Sequence, residues 1–280
     1  MPYHQITITI PEQFKDPLLM KLAGLGSLGS LDQEHAITAY FPATASLSTI
    51  VGELRVISLL VNAAGNDTPV RIKHSLLPDA DWNESWKKGF TSIDVGERFT
   101  ILPPWEHHAG NRIPLIIDPG MAFGTGHHET TRSCLVLMER HAPAVKEERF
   151  LDLGTGTGLL AMAALALGFR SVVGVDTDPL AIEASLRNIA LNKADSVELI
   201  EGGIDRCEGD YDMIAANLIS GTLIQLAGEI AAHLVPAGIV IMSGILKDQD
   251  DEVAAAAENS GLTCIKRLVD GKWVSLACRR

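Results

Sequence analysis

The sequence predicts an α/β protein: a doubly wound, mostly parallel sheet preceded by a small ferredoxin-like α+β module. Three observations carry this expectation. From about residue 149, apolar strand-length runs alternate with helix-length ones, the pattern of a sheet with helices on both faces. Residues 1–78 read instead as β-α-β-β-α-β, the order of a small sandwich. Between strand and helix in the later part lies the glycine cluster "LDLGTGTG" at 151–158, which is how a nucleotide-binding turn begins.

In the first segment, Ile6, Ile8 and Ile10 alternate with Thr7 and Thr9, so 3–10 reads as a half-buried strand. A helix follows at 14–24, then strands at 25–31 and 36–41. Leu47, Ile50, Val51, Leu54, Ile57 and Val61 recur near helical spacing, which places a helix at 46–63, stopped by Gly65 and Asn66. A strand at 69–76 closes the module. Residues 79–105 read as a connector. Trp82 and Trp86 share one helix face there as a clasp, and "IDVGERFTILPPW" reads as a strand ended by Pro103 and Pro104. Residues 106–280 form the larger domain. "RFLDLG", "SVVGVD", "SVELIE", "YDMIAANL" and "GIVIMSG" are its strands. Helices lie between them, at 219–233 and 246–259 among others, and closing strands near 262–268 and 272–278.

Hydrophobic residues make up 46 % of the 280 residues and charged residues 21 %, enough for substantial cores. The longest apolar run, Leu159 to Phe169, is too short for a bilayer. "MPYHQITITI" has no basic region before an apolar block, so no secretory signal is expected. The four cysteines, Cys134, Cys207, Cys264 and Cys278, form no CxxC pair, which implies reduced thiols in a cytoplasmic protein and no zinc site. His107, His108, His127, His128 and Glu129 lack metal-ligand spacing, so no metal is expected. A net charge of −12 disfavours nucleic acid and suits a basic partner, though acidity for solubility alone accounts for it too.

Gly154, Gly156 and Gly158 follow an apolar strand and open an apolar helix. Asp176 ends the next strand, where an acid can take two ribose hydroxyls. Asp178-Pro179 reads as helix cap and first turn. Leu159 stands where a dinucleotide fingerprint has its third glycine, and no phosphate-loop lysine follows. The pattern therefore fits a ligand without phosphates, such as S-adenosylmethionine, with a nicotinamide cofactor as the alternative. Asn217 ends the fourth strand, either to accept a hydrogen bond from a substrate amine or to cap helix 219–233.

"DPGMAFGTGHHETT" (118–131), "LDLGTGTG", "VGVDTDPLAIEASLRN" and "AANLI" together resemble PrmA, the methyltransferase family of the eleventh large-subunit ribosomal protein. "DWNESWKKGF", "ERFTILPPW" and "SGIL" add to the resemblance, which covers residues 79–280. The resemblance implies a Rossmann-like methyltransferase sheet. It also implies S-adenosylmethionine contacts at Thr131, Gly154, Gly156, Asp176 and Asn217, with Phe123 as a lid over the target amine and Asn217 beside that amine. His127 and Glu129 stand where the family has threonine and proline, a departure that touches the local helix start. The implied activity is methylation of lysine side-chain or N-terminal amines of a basic ribosomal protein, by a cytoplasmic monomer whose residues 1–78 recruit the substrate. Methylation of another protein and a non-catalytic ribosome-binding module are the other outcomes.

Overall fold

The structure, a computed structural model, describes residues 3–33, 36–63, 70–77, 90–108, 110–118 and 124–280. The chain forms two compact units, residues 1–89 and 90–280.

The first unit consists of β1 (Tyr3–Thr9), α1 (Lys15–Gly24), β2 (Gly29–Gln33), β3 (Ala36–Pro42), α2 (Leu47–Ala63) and β4 (Arg71–Leu77). Its sheet has the order β2-β3-β1-β4 with every pairing antiparallel, as a ferredoxin-like module requires. The alternating isoleucines of β1 point inward and meet Leu18, Leu22, Ile37, Phe41, Ile50 and Leu54 in one core. The second strand begins four residues later than the sequence indicates. The amides of Leu25 and Ser27 fold back onto the carbonyls of Lys21 and Leu22, so residues 25–28 are spent on closing the helix.

The second unit begins with a small sheet, β5 (Ile93–Val95), β6 (Phe99–Leu102) and β7 (Ile113–Ile116). Residues 93–102, expected as one strand, are two antiparallel strands joined at Gly96. The carboxylate of Glu139 accepts hydrogen bonds from the Glu97 amide at that turn, at 3.0 and 3.2 Å. Residues 90–105, expected in the connector, thus belong to the second unit, where Val95, Phe99 and Ile101 join its core. Trp82 and Trp86 lie outside the described residues.

The main sheet and its helices follow as α3 (Glu129–His141), β8 (Arg149–Leu153), α4 (Leu159–Leu167), β9 (Ser171–Asp176), α5 (Pro179–Asn192), β10 (Val197–Glu201), β11 (Tyr211–Asn217), α6 (Ser220–Ala232), β12 (Leu234–Leu246), α7 (Asp250–Asn259), β13 (Thr263–Asp270) and β14 (Trp273–Arg279). The seven strands run in the order β10-β9-β8-β11-β12-β14-β13. Pairings from β10 to β12 are parallel, and β14 enters antiparallel to both neighbours. Two cores cover the two faces, one built with α3, α4 and the small sheet, the other with α6 and α7. Strand order reverses between β8 and β11. Ligands of doubly wound sheets bind beyond the carboxyl ends of the strands at such a point.

Candidate functional site

The glycine loop leaves β8 at that reversal. Gly154, Gly156 and Gly158 all have positive φ, at 77°, 56° and 79°, a region open to glycine at little cost. The loop is fastened from below. The amides of Gly154 and Thr155 donate to the Val175 carbonyl at 2.8 and 3.0 Å. Thr155 Oγ1 and the Ala161 amide both donate to one carboxylate oxygen of Asp152, at 2.7 and 3.0 Å. Asp152 is 1 % exposed, and burial pushes its carboxyl up to about 7. From the side, Ser185 Oγ donates to the Gly156 carbonyl and Asn188 Nδ2 to that of Thr157, each at 2.9 Å. A Cβ on Gly158 would lie 3.3 Å from Ser185. Gly158 therefore lets α4 approach α5 closely, and position 159 carries a buried leucine.

Asp176 ends β9 half-buried. Its two oxygens accept from the Gly156 amide at 2.9 Å and the Asp178 amide at 3.0 Å. Each carboxylate oxygen has a second acceptor site, so the side chain is held in place with capacity for two further donors. Asp178 caps α5 by accepting from the Leu180 amide at 2.9 Å, as its sequence position indicates.

Asn217 ends β11. Its Nδ2 donates to Thr131 Oγ1 at 3.3 Å, and its buried Oδ1 has no hydrogen-bond partner among the described residues. The cap of α6 is Ile219, without a side-chain bond, so the capping alternative for Asn217 fails. A Cβ on Gly244, at φ 84°, would collide with the Leu218 carbonyl oxygen, so only glycine permits β12 this close behind Asn217. Ser243 Oγ braces the same wall by donating to the Thr130 carbonyl at 3.1 Å.

Thr131 sits in the first turn of α3, 1 % exposed. The helix starts in spite of the His-His-Glu departure because His128 supplies the cap: its Nδ1 accepts from the Thr130 amide at 3.3 Å. That role needs a neutral imidazole, and burial first, then Arg132 and Lys272, lowers its pKa against the opposing pull of Glu129. His127 Nε2 instead lies 3.0 Å from the Thr91 carbonyl. Phe123 lies outside the described residues. Its neighbour Gly124 accepts from Thr157 Oγ1 at 2.6 Å, which ties the end of the 118–131 loop to the glycine loop.

These elements enclose a cavity of about 600 Å³. Thr131, Gly154, Gly156, Asp176 and Asn217, separated by up to 86 positions in sequence, all line it. It also takes in Gly202 to Asp205 after β10 and Leu218, Thr222 and Leu226 around α6, which the sequence had not marked. The place of 202–205, directly after the third strand of the main sheet, is the signal that could have found them.

No Lys or Arg lines the cavity among the described residues, and the sheet departs from the dinucleotide order through its inserted antiparallel strand. A crystal structure of the ribosomal protein L11 methylase of Lactobacillus delbrueckii subsp. bulgaricus superimposes with a TM-score of 0.63 at 30 % identity, over 68 % of this chain and 98 % of that one. The fold is that of a Rossmann-like methyltransferase. A relative from Acetivibrio thermocellus named ribosomal protein L11 methyltransferase is 32 % identical over 90 % of this chain and 81 % of its own length. Another of that name from Pelobacter propionicus is 41 % identical over 74 % and 69 %. The chain belongs to the ribosomal protein L11 methyltransferase (PrmA) family, whose model matches residues 12–280.

Proposed function

We propose that this protein methyltransferase uses S-adenosyl-L-methionine to methylate lysine side-chain or N-terminal amines of ribosomal protein L11, acting as a cytoplasmic monomer. The names of its relatives support the substrate. A cavity with Asp176 held in place at its wall, and with no Lys or Arg lining it among the described residues, supports the cofactor. The observation that carries the reading is the unpartnered Oδ1 of Asn217: a buried acceptor without a donor is costly, and an incoming amine is the donor this chemistry supplies.

Bound S-adenosyl-L-methionine supplies an activated methyl group, so the protein's work is positioning. Gly154 and Gly156 would let the ligand approach the backbone, and Asp176 would accept from its ribose hydroxyls. A lysine of pKa about 10.4 must lose its proton, at a cost near 4 kcal/mol at neutral pH. Burial in the cavity lowers that cost, and no general base is required. Asn217 Oδ1 accepts a remaining N–H and aims the lone pair, with Thr131 Oγ1 fixing which amide atom faces the amine.

Asn217→Ala is expected to lower the single-turnover rate on L11 by 10²-fold or so while cofactor affinity changes little. A variant with the wild-type single-turnover rate would remove Asn217 from the chemistry. Methylation of a different protein in cell extract, with L11 untouched, would overturn the substrate.

A further inference from the structure

The outermost strands of the main sheet carry a second reactive constellation, remote from the cavity residues. Cys264 on β13 is the direct cross-strand partner of Cys278 on β14. Opposed residues of antiparallel strands have Cα atoms about 4.5–5.5 Å apart, inside the roughly 4.4–6.8 Å that a disulfide spans. The two side chains share a sheet face, since both join the core under α6 and α7. Cys278 is fully buried, whereas Cys264 is only partly buried on the edge strand. One thiol is thus open to a small oxidant and the other is held directly behind it. From this juxtaposition we infer that Cys264 and Cys278 form a reversible peroxide-sensitive dithiol, with Cys264 the attacked sulfur and Cys278 the resolving one.

The polarity of the pair supports that division of labour. The side-chain interaction between the two lowers the Cys264 pKa and raises that of Cys278, with burial adding to the latter. The thiolate is the reactive form. The Cys264 thiolate attacks one oxygen of hydrogen peroxide. The O–O bond breaks, and the departing hydroxide takes up a proton to leave as water. Cys278 then attacks the resulting sulfenic sulfur, and its proton goes to the hydroxyl that leaves as a second water. Two thiols and one peroxide give one disulfide and two waters. Cys134 is fully buried with its thiol pushed up to about 12, and Cys207 is buried and also raised, so neither competes.

The test treats the reduced full-length protein with hydrogen peroxide, alkylates it under denaturing conditions and maps cysteines by mass spectrometry. Alkylatable thiols should fall by two, with one cross-linked peptide joining Cys264 to Cys278, Cys134 and Cys207 still alkylated, and full reversal by dithiothreitol. Cys278→Ser should leave Cys264 to accumulate stable oxygen adducts, and Cys264→Ser at the partly buried position should abolish the cross-link. Wild-type protein that keeps four alkylatable thiols, carries two oxygens on Cys264 beside a free Cys278, or links other cysteines would overturn the inference. None of these measurements depends on methyl transfer.

Discussion

Asp152 shows how much one buried side chain sets. It holds the glycine loop and the start of α4 with a single oxygen, while the other has no partner among the described residues. A carboxyl whose folded pKa lies above its unfolded one binds its proton more tightly in the native state. Its stabilising contribution is therefore present below about pH 4 and lost as pH rises through about 7. Asp152→Asn keeps an acceptor for Thr155 and Ala161 and stays neutral. Urea unfolding should show this variant gaining on the wild type between pH 5 and 8, by on the order of 1–3 kcal/mol. Parallel stability curves would show that burial does not shift the group. Asp176 makes a second case. Because it anchors Gly156 and Asp178 besides facing the cavity, Asp176→Ala should weaken S-adenosylmethionine binding by about 2 kcal/mol or more in calorimetry. Unchanged affinity would take it out of the site. Asp176 and Asn217 were legible because each ends a strand that the apolar pattern defines. Asp152 was not, because a carboxylate inside "FLDL" takes its meaning from the two donors that fold onto it.

At the scale of elements, apolar periodicity located most strands and helices to within a few residues. It missed where local polar contacts decide. The Gly96 turn depends on Glu139, 43 positions beyond it in the chain's numbering and contributed by α3. Thr131 was assigned to a loop, yet it lies inside α3, because histidine is not among the usual cap residues and the cap at His128 leaves no sequence signal. The 118–131 loop is correspondingly shorter, and its end is pinned by Thr157. Gly244 links element packing to the site: it permits β12 to run behind Asn217 and Leu218. Gly244→Ala adds a side chain at positive φ against a backbone carbonyl, with a cost of roughly 1–3 kcal/mol. A lower Tm together with a slowed single-turnover rate is the expected outcome. Loss of stability with normal turnover would separate Gly244 from the positioning of Asn217.

The sequence changes from β-α-β-β-α-β to strict alternation, and the chain forms two units, residues 1–89 and 90–280, with β5, β6 and β7 in the second. Every described cavity-lining residue belongs to the second unit. We therefore propose that the first unit recruits L11. A chain starting at residue 90 should bind S-adenosylmethionine nearly as the full protein does, while L11 methylation collapses. Full-rate methylation by that fragment would refute recruitment. With a net charge of −12 on this chain, and if the substrate is basic as that acidity suggests, the full protein's KM for L11 should rise with salt, as a Debye length of about 8 Å at physiological ionic strength implies.

The neighbours at the sheet's reversal point, β8 and β11, stand some sixty residues apart in the chain, with two helices and two strands formed between them. Loop closure over such separations is slow relative to local helix formation. The cavity's walls therefore come together only when the non-local pairing is complete, however early the glycine loop finds its turn. In a refolding experiment, cofactor binding should return with the last kinetic phase, after most far-ultraviolet signal has recovered. Ligand affinity in this chain is thus a clock for the end of folding.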